Sequence, residues 1–269
     1  MRDNWMSKRK SDVEFRIIIP ARYDSTRLPG KPLRQIAGKP LLQHVFECAK
    51  RSAARHIVIA TDDERIQQAA QGFGAEVCMT ASTHASGTER LAEVIEKLGI
   101  ADDEIVLNLQ GDEPLMPAVC LDQVATLLAA KPDAVMASLC EPIERVEDMF
   151  NPNVVKVVLG RDGEAIYFSR AAVPWHRDSF STRPQTLPAG ELFFRHIGLY
   201  AYRAEFVSAY LKLAVSPIEK AESLEQLRVL WHGHQIAMAV ACEKPGPGVD
   251  TQEELARVEA LLMARSSLD

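Results

Sequence analysis

The sequence predicts an α/β fold, a doubly wound and mostly parallel sheet with an antiparallel hairpin embellishment. Three observations carry this. Short apolar runs alternate with amphipathic helical stretches from residue 15 to residue 139, the pattern of a parallel sheet covered by helices on both faces. The pattern changes after Pro142, where two apolar runs flank Gly160-Arg161-Asp162-Gly163, a hairpin signal. The chain has 269 residues, 47% of them apolar, enough for the core of one large domain, and it shows no repeat, low-complexity tract or clear linker.

The elements follow in order. Residues 15–19 include three consecutive isoleucines and read as a buried strand. Pro40 opens a helix with Leu41, Leu42, Val45, Phe46 and Ala49 on one stripe. A strand over 56–60 precedes a helix from about Asp62. A short strand over 76–79 precedes a helix over 86–98. The strongly apolar strand 104–110 precedes a helix over 117–130, and 134–139 is a further strand. Runs 154–159 and 164–168 form the hairpin, and 196–202 is a strand with aromatic content. Ser216-Pro217-Ile218-Glu219 combines a capping box with proline at the first helical position, which predicts one helix running to about His232. A strand over 235–242 and a closing helix over 251–264 complete the chain. Residues 1–14 are polar and of mixed charge, and read as a disordered leader or start-site extension ahead of a single domain over 15–269.

Composition narrows the function. A net charge of −6 argues against a general nucleic-acid binder. No apolar run approaches membrane-spanning length and no apolar signal core stands at the N-terminus, so the expectation is a cytoplasmic protein without membrane insertion. The five cysteines are scattered and never in Cys-x-x-Cys spacing, which reads as buried free thiols in a reducing compartment.

The loop after the first strand gathers Arg22, Arg27 and Lys31 within ten residues, punctuated by Pro20, Pro29, Gly30 and Pro32. Planar Arg forks beside a Lys point charge suit a polyphosphate, and the carboxyl end of a first strand is where open α/β sheets bind ligands. Two familiar phosphate loops are absent. A Walker A motif ending at Gly30-Lys31 would need glycine at 25 and Ser or Thr at 32, where Ser25 and Pro32 stand. Gly72-Phe73-Gly74 is only a fragment of a dinucleotide fingerprint, with Val77 in place of its third glycine.

Acids are the second ingredient. Gln110-Gly111-Asp112-Glu113-Pro114 puts carboxylates just beyond the strand at 104–110, where a hard divalent cation bound with phosphates finds the one or two carboxylates it needs. Asp250 precedes the last helix, where an ordinary helix cap is the stronger reading of the residues alone, because Asp or Thr caps a helix there and Thr251-x-x-Glu254 is a capping box. His232-Gly233-His234 straddles a helix end and reads as C-terminal capping. His196 at a strand start and Glu225 on a helix carry no decisive pattern of their own.

Several segments together resemble one family. Pro20-Ala-Arg-Tyr-Asp-Ser-Thr-Arg-Leu-Pro-Gly-Lys-Pro32, Ser86-Gly-Thr-Glu-Arg90, Gln110-Gly-Asp-Glu-Pro114, Phe150-Asn-Pro-Asn153, Tyr167-Phe-Ser-Arg170, Glu225-Gln-Leu-Arg-Val-Leu-Trp231 and Gly248-Val-Asp250 occur in this order. The set is similar to the nucleotide-sugar nucleotidyltransferases, in the form that transfers cytidylate from CTP to 3-deoxy-manno-octulosonate (Kdo). The resemblance spans about residues 15–264. It implies a Rossmann-like nucleotidyltransferase fold, a role in lipopolysaccharide biosynthesis, magnesium as cofactor and a homodimer, with residues 143–215 contributing sugar-site and dimer-forming elements. It implies a nucleotide site of Arg22, Ser25, Arg27, Lys31, Ser86, Gly87 and Arg90. Gln110, Arg170, His196, Tyr200 and Glu225 would line the sugar site, with Arg170 facing the sugar carboxylate. Asp112 and Asp250 would bind the metal, and Lys31, Arg22 and Asp112 would act in catalysis. The alternative within the family is another acidic sugar, 8-amino-Kdo or a sialic acid.

Overall fold

The computed structural model describes residues 13–24, 27–84, 86–181, 184–190 and 192–266. Strands β1 (Phe15–Ala21), β4 (His56–Thr61), β5 (Glu76–Met79) and β6 (Ile105–Asn108) run parallel, β1 lying between β4 and β6. β7 (Ala134–Pro142) and β11 (Gln235–Val240) form a second parallel pair. The long strand β10 (Phe194–Arg203) joins the two groups, antiparallel to both β6 and β7. The sheet order is therefore β11-β7-β10-β6-β1-β4-β5. β8 (Lys156–Leu159) and β9 (Ala165–Ser169) are the expected hairpin, attached to β10 through β8. A small hairpin, β2 (Gln35–Ile36) with β3 (Lys39–Pro40), was not legible in the apolar pattern.

The isoleucine run shows why the sheet needs cover on both faces. Ile17 and Ile19 pack with Leu42, Val45 and Phe46 of α1 (Leu41–Lys50) and with Leu121 and Val124 of α4 (Ala118–Ala129). Ile18 points the other way, into the cluster with Leu91 and Val94 of α3 (Gly87–Lys97) and Phe206 of α6 (Ala204–Tyr210). Alternate side chains of a strand face opposite sides, and complete burial of each contributes ~1.5–3 kcal/mol. α2 (Glu64–Gly72) begins at Asp63, whose carboxylate accepts from the Arg65 and Ile66 N–H groups, one residue later than the spacing predicts. α5 (Val146–Phe150) is a further short helix.

The helix expected over 216–232 is two helices. α7 (Pro217–Glu222) starts at the predicted capping box, with Ser216 Oγ accepting from the Glu219 N–H and the Glu219 carboxylate accepting from the Ser216 N–H. It stops at Ser223, which adopts φ 51°. α8 (Gln226–Trp231) then resumes. A serine in the left-handed region is uncommon, and no propensity rule signals the break. α9 (Gln252–Ser266) closes the chain.

The five cysteines form no disulfide among the described residues; four are buried as expected and Cys242 is exposed, on the segment that leaves β11. No helix of the described residues is long and apolar enough to cross a membrane. The leader reading falls mostly on residues 1–12, outside the described residues.

One glycine sets how closely the loops approach. A Cβ on Gly111 would lie 2.8 Å from the Pro20 carbonyl oxygen, which is backbone and cannot swing aside. Gly111→Ala should therefore lower stability by ~1–3 kcal/mol, the usual effect of overpacking. It should also lower turnover, because Gln110 and Asp112 flank the strained point. A thermal melt and a turnover assay on the variant check this; an unchanged melting temperature would count against the close approach.

Candidate active site

The loop after β1 is shaped by Gly30, which adopts φ 66°, and by the 3₁₀ turn Lys31–Leu33 that follows it. The Gly30 N–H donates to the Tyr23 carbonyl at 3.2 Å and its own carbonyl accepts from Leu33 N–H at 2.9 Å. A side chain at Gly30 would be strained by this φ and would also meet the Tyr23 ring. The turn aims Lys31 across the mouth of the sheet. Lys31 Nζ donates to Asp112 Oδ2 at 2.6 Å and to Asp250 Oδ1 at 3.0 Å, and Arg27 Nη2 pairs with Asp250 Oδ2 at 2.9 Å. Two segments, 81 and 219 residues away in the chain, meet on the Lys31 ammonium group.

A separate apolar cluster makes the meeting possible. Leu28 of the basic loop, Leu115 of the Asp112 loop and Val249 beside Asp250 are all buried together with Ile36, Leu41, Leu255 and Val258. Each polar residue thus rides on a loop anchored by an apolar neighbour. Backbone bonds reinforce this, Val249 N–H to the Asp112 carbonyl at 2.9 Å and Gly246 N–H to the Leu115 carbonyl at 3.3 Å.

The two readings of Asp250 resolve by division of labour. Thr251 Oγ1 accepts from Glu254 N–H at 3.2 Å, and the Glu254 carboxylate accepts from the N–H groups of Asp250 and Thr251. The capping box therefore uses Thr251, and the Asp250 carboxylate is left to the cations. Burial lowers the pKa of Lys31, but Asp112 and Asp250 outweigh it and hold the ammonium above its ordinary value. The same acids act on Glu113, where they disfavour the charged form. Burial, reinforced by the Asp112 and Asp250 charges, pushes its carboxyl up to about 8, so it is mostly protonated at neutral pH.

Beside this cluster the sheet opens into a cavity of about 310 Å³. Gln110, two residues before Asp112, lines it, together with Gly87 and Thr88 at the start of α3, Tyr200 and Tyr202 on β10, and Glu225. Arg22 Nη2 donates to the Ser86 carbonyl at 2.9 Å and ties the basic loop to that helix start. Ser86 caps α3, its Oγ accepting from Glu89 N–H at 3.2 Å. Tyr200 and Tyr202 are two residues apart on one strand and so share a face. Thr88 Oγ1 donates to Glu225 Oε2 at 2.9 Å, while burial raises the pKa of Glu225. The break at Ser223 is what turns Ser223, Leu224 and Glu225 into the cavity wall.

Three expected residues stand elsewhere. Arg90 is completely buried; its Nη1 bonds Thr80 Oγ1 and its Nη2 faces Asp62 at 3.3 Å, so it braces the loop ahead of α3 rather than presenting a charge at the surface. The Arg170 guanidinium does not line the cavity. It donates to the carbonyls of Glu222, Pro152 and Ser223 at 2.6, 3.1 and 3.5 Å, the geometry its planar fork favours between neighbouring loops. His196 lies behind Tyr200, with ring centroids 5.3 Å apart, and packs edge-on against Phe168. Its Nε2 is 2.9 Å from Ser138 Oγ, and burial pushes its pKa down to about 3. Ser25 lies outside the described residues. His232 and His234 are no metal pair: His232 bonds the Ala214 carbonyl at 2.9 Å and His234 packs on Phe206.

The neutral His196 has a consequence for acid stability. Its folded pKa lies below its ordinary 6.5, so protons favour the unfolded chain. The stability of the neutral imidazole is fully present above pH ~6.5 and is lost as pH falls toward 3, at no more than ~1.4 kcal/mol per pH unit. Urea midpoints between pH 7 and 5 should fall less steeply for His196→Gln than for the parent chain; parallel slopes would remove His196 from the acid transition.

Residue patterns gave no sign of Asn108 and Gln226. Both line the cavity and are buried, 3% and 5% exposed, yet Asn108 Oδ1 and Gln226 Nε2 have no hydrogen-bond partner among the described residues. Buried polar groups are ordinarily paired, so an orphan acceptor and an orphan donor in one cavity suit a polar, hydroxyl-rich ligand. The only sequence cue was their place, Asn108 at the end of β6 and Gln226 after Glu225. The donor set at Lys31 also suits a hard cation. Two carboxylates already converge on one positive group, the number a divalent ion takes when phosphates and waters complete its shell. Among the described residues no group of three or more His, Cys, Asp or Glu could hold a metal.

Comparison with known proteins identifies the family. The family model described as cytidylyltransferase matches residues 16–236. A 3-deoxy-manno-octulosonate cytidylyltransferase of Pasteurella multocida is 55% identical over 93% of this chain and 99% of its own length. One of Pseudomonas fluorescens is 56% identical over 93% and 98%. Among solved structures, the CMP:2-keto-3-deoxy-manno-octonic acid synthetase complexed with CTP superposes with a TM-score of 0.85 at 40% identity, covering 94% of this chain and 99% of that one. 4-Diphosphocytidyl-2C-methyl-D-erythritol synthase, at 14% identity and a TM-score of 0.60, shares the fold alone. The chain belongs to the cytidylyltransferase family, beside its 3-deoxy-manno-octulosonate cytidylyltransferase members.

Proposed function

We infer that this chain is a nucleotidyltransferase that activates Kdo with CTP, giving CMP-Kdo and pyrophosphate for lipopolysaccharide assembly. The observation that carries the reading is the junction at Gly111. Gln110 lines the polar cavity and Asp112 bonds Lys31, so a sugar in the first and a triphosphate at the second would touch. The similarity to enzymes of this name over nearly the whole chain supports the same substrates.

In this reading Arg22, Arg27 and Lys31, with Ser25, hold the triphosphate, and Ser86 and Gly87 lie by the base. The C2 hydroxyl oxygen of Kdo forms a bond to the α-phosphorus, the bond to the pyrophosphate oxygen breaks, and the hydroxyl proton leaves to solvent or a nearby base. The lysine and arginines neutralise charge growing on the departing pyrophosphate. Gln110, Tyr200, Glu225, Asn108 and Gln226 orient the sugar so that its hydroxyl lies in line. Asp112 and Asp250 would hold magnesium, which lowers the charge barrier to the incoming oxygen. Arg170 and His196 act behind the cavity wall and Arg90 beneath the base-side loop.

The reading also carries a cytoplasmic location, where CTP is made available, and a homodimer. Residues 143–215 expose Ile166 and Trp175, each at 58%, which suits a surface covered by a second copy. The decisive assay mixes protein, CTP, magnesium and Kdo and measures pyrophosphate with each component left out in turn. Release that persists without Kdo, or that is faster with 8-amino-Kdo or a sialic acid, would overturn the substrate assignment.

A further inference from the structure

Two of the ordered motifs, Phe150-Asn-Pro-Asn153 and Tyr167-Phe-Ser-Arg170, are held together by a residue with no part in the reaction as described. Lys156 on β8 is fully buried, 0% exposed. Its Nζ donates to the carbonyls of Asn151 at 2.9 Å, Val154 at 2.6 Å and Arg170 at 2.6 Å. An ammonium has three N–H bonds, and three backbone oxygens take them. Among the described residues it forms no ion pair. Burial pushes its pKa down to about 8, with the Glu222 charge opposing. A buried cation is unfavourable unless its bonds are well made, so this arrangement is stiff or it is not formed.

The connections run onward from Arg170. Its Nε donates to the Glu222 carbonyl at 2.6 Å and its Nη2 reaches the Ser223 carbonyl at 3.5 Å. In return the Glu222 carboxylate accepts from the Arg170 N–H at 2.9 Å and from Ser169 Oγ at 2.6 Å. Glu222 and Ser223 form the joint between α7 and α8, where Ser223 takes φ 51°, and the residues that follow the joint are Leu224, Glu225 and Gln226 of the cavity wall. Every link from the buried ammonium to Glu225 is either a hydrogen bond or a neighbouring residue.

We propose that Lys156 is a positioning residue for the sugar half of the site: it fixes Arg170, which fixes the Glu222–Ser223 joint, which sets Glu225 and Gln226 against the sugar. The proposal rests on the reading of the cavity as the Kdo pocket. The CTP half hangs on the separate apolar anchors at Leu28, Leu115 and Val249, so loss of Lys156 should be felt by one substrate and not the other. A residue that only stabilised the fold would affect both.

The test is steady-state pyrophosphate release with the two substrates varied separately. Lys156→Met keeps length and apolar bulk but removes all three donors. The KM for Kdo should rise about tenfold or more while the KM for CTP stays within about twofold, because uniform binding to one substrate has been weakened. Lys156→Gln, which retains two N–H bonds, should recover part of the Kdo affinity. Glu222→Gln probes the same relay from its far end while leaving the three Lys156 donors in place, and decides the matter if Lys156→Met does not fold. A selective rise in the Kdo KM in that variant supports the relay. An unchanged Kdo KM, or equal changes for both substrates, overturns it. Parent protein that releases no pyrophosphate with Kdo overturns the reading of the pocket, and this proposal with it; active parent protein with an unshifted variant overturns the proposal alone.

Discussion

Lys31→Met should lower kcat/KM for CTP by roughly a hundredfold or more, the usual effect of losing one preorganised contact to developing charge. The substitution keeps the length of the stem but removes the single group that both Asp112 and Asp250 touch, at 2.6 and 3.0 Å. Its effect is twofold. The triphosphate loses a cation whose charge is held firmly by two acids, and Asp112 and Asp250 lose the shared positive charge that offsets their repulsion, with Arg27 left on Asp250 alone. The second consequence gives the prediction its signature. Melting temperature should change little at saturating magnesium and should depend on magnesium more steeply than in the parent chain, because a divalent ion can replace the missing charge. Pyrophosphate release over a range of CTP and a set of melts across magnesium concentrations measure both. A loss below about threefold would take Lys31 out of the transition state.

The second large effect is expected at the acids. Asp250→Asn should raise the magnesium needed for half-maximal rate about tenfold and lower the rate at saturation by up to about a hundredfold. Its fold should survive, because the capping box of α9 runs through Thr251 and Glu254 and does not use the Asp250 side chain. That separation makes the experiment clean, since activity can be lost without loss of the helix. Asp112→Asn should behave alike. With two carboxylates on one cation among the described residues, magnesium should bind measurably by calorimetry only when CTP is present. Tight magnesium binding to the free protein, or an Asp250→Asn enzyme with an unaltered magnesium requirement, would contradict the metal assignment.

Most of the framework was legible from local pattern. The isoleucine run of β1, the stripe of α1 and the Ser216 capping box are short-range features, and each formed where its residues predict. The basic loop was legible for the same reason, since Gly30 and the prolines act on their own backbone. What failed was of another kind. The end of α7 depends on Ser223 taking a left-handed conformation that helix propensity disfavours, and the bonds from Arg170 to the carbonyls of Glu222 and Ser223 help to hold it there. β10 reads as an aromatic late strand, but its place between β6 and β7 is set by which strand edges remain unpaired. Arg170 and His196 carry the right chemistry for a sugar acid, and only packing shows that carbonyls and Ser138 already take their polar atoms. Asn108 and Gln226 are the reverse case, ordinary amides in sequence that packing leaves without partners.

Sequence by itself determined most of the elements, the basic loop and the family, because period, capping and backbone restriction act over a few residues and motif order is read directly from the chain. Only the tertiary structure decided that Lys31 meets acids 81 and 219 residues away, that the Asp250 side chain turns to Arg27 and Lys31 rather than to its helix, and which polar groups face the cavity. Those outcomes depend on loops closing over apolar anchors such as Leu28, Leu115 and Val249, and burial is shared among distant segments, so no stretch of chain carries it alone.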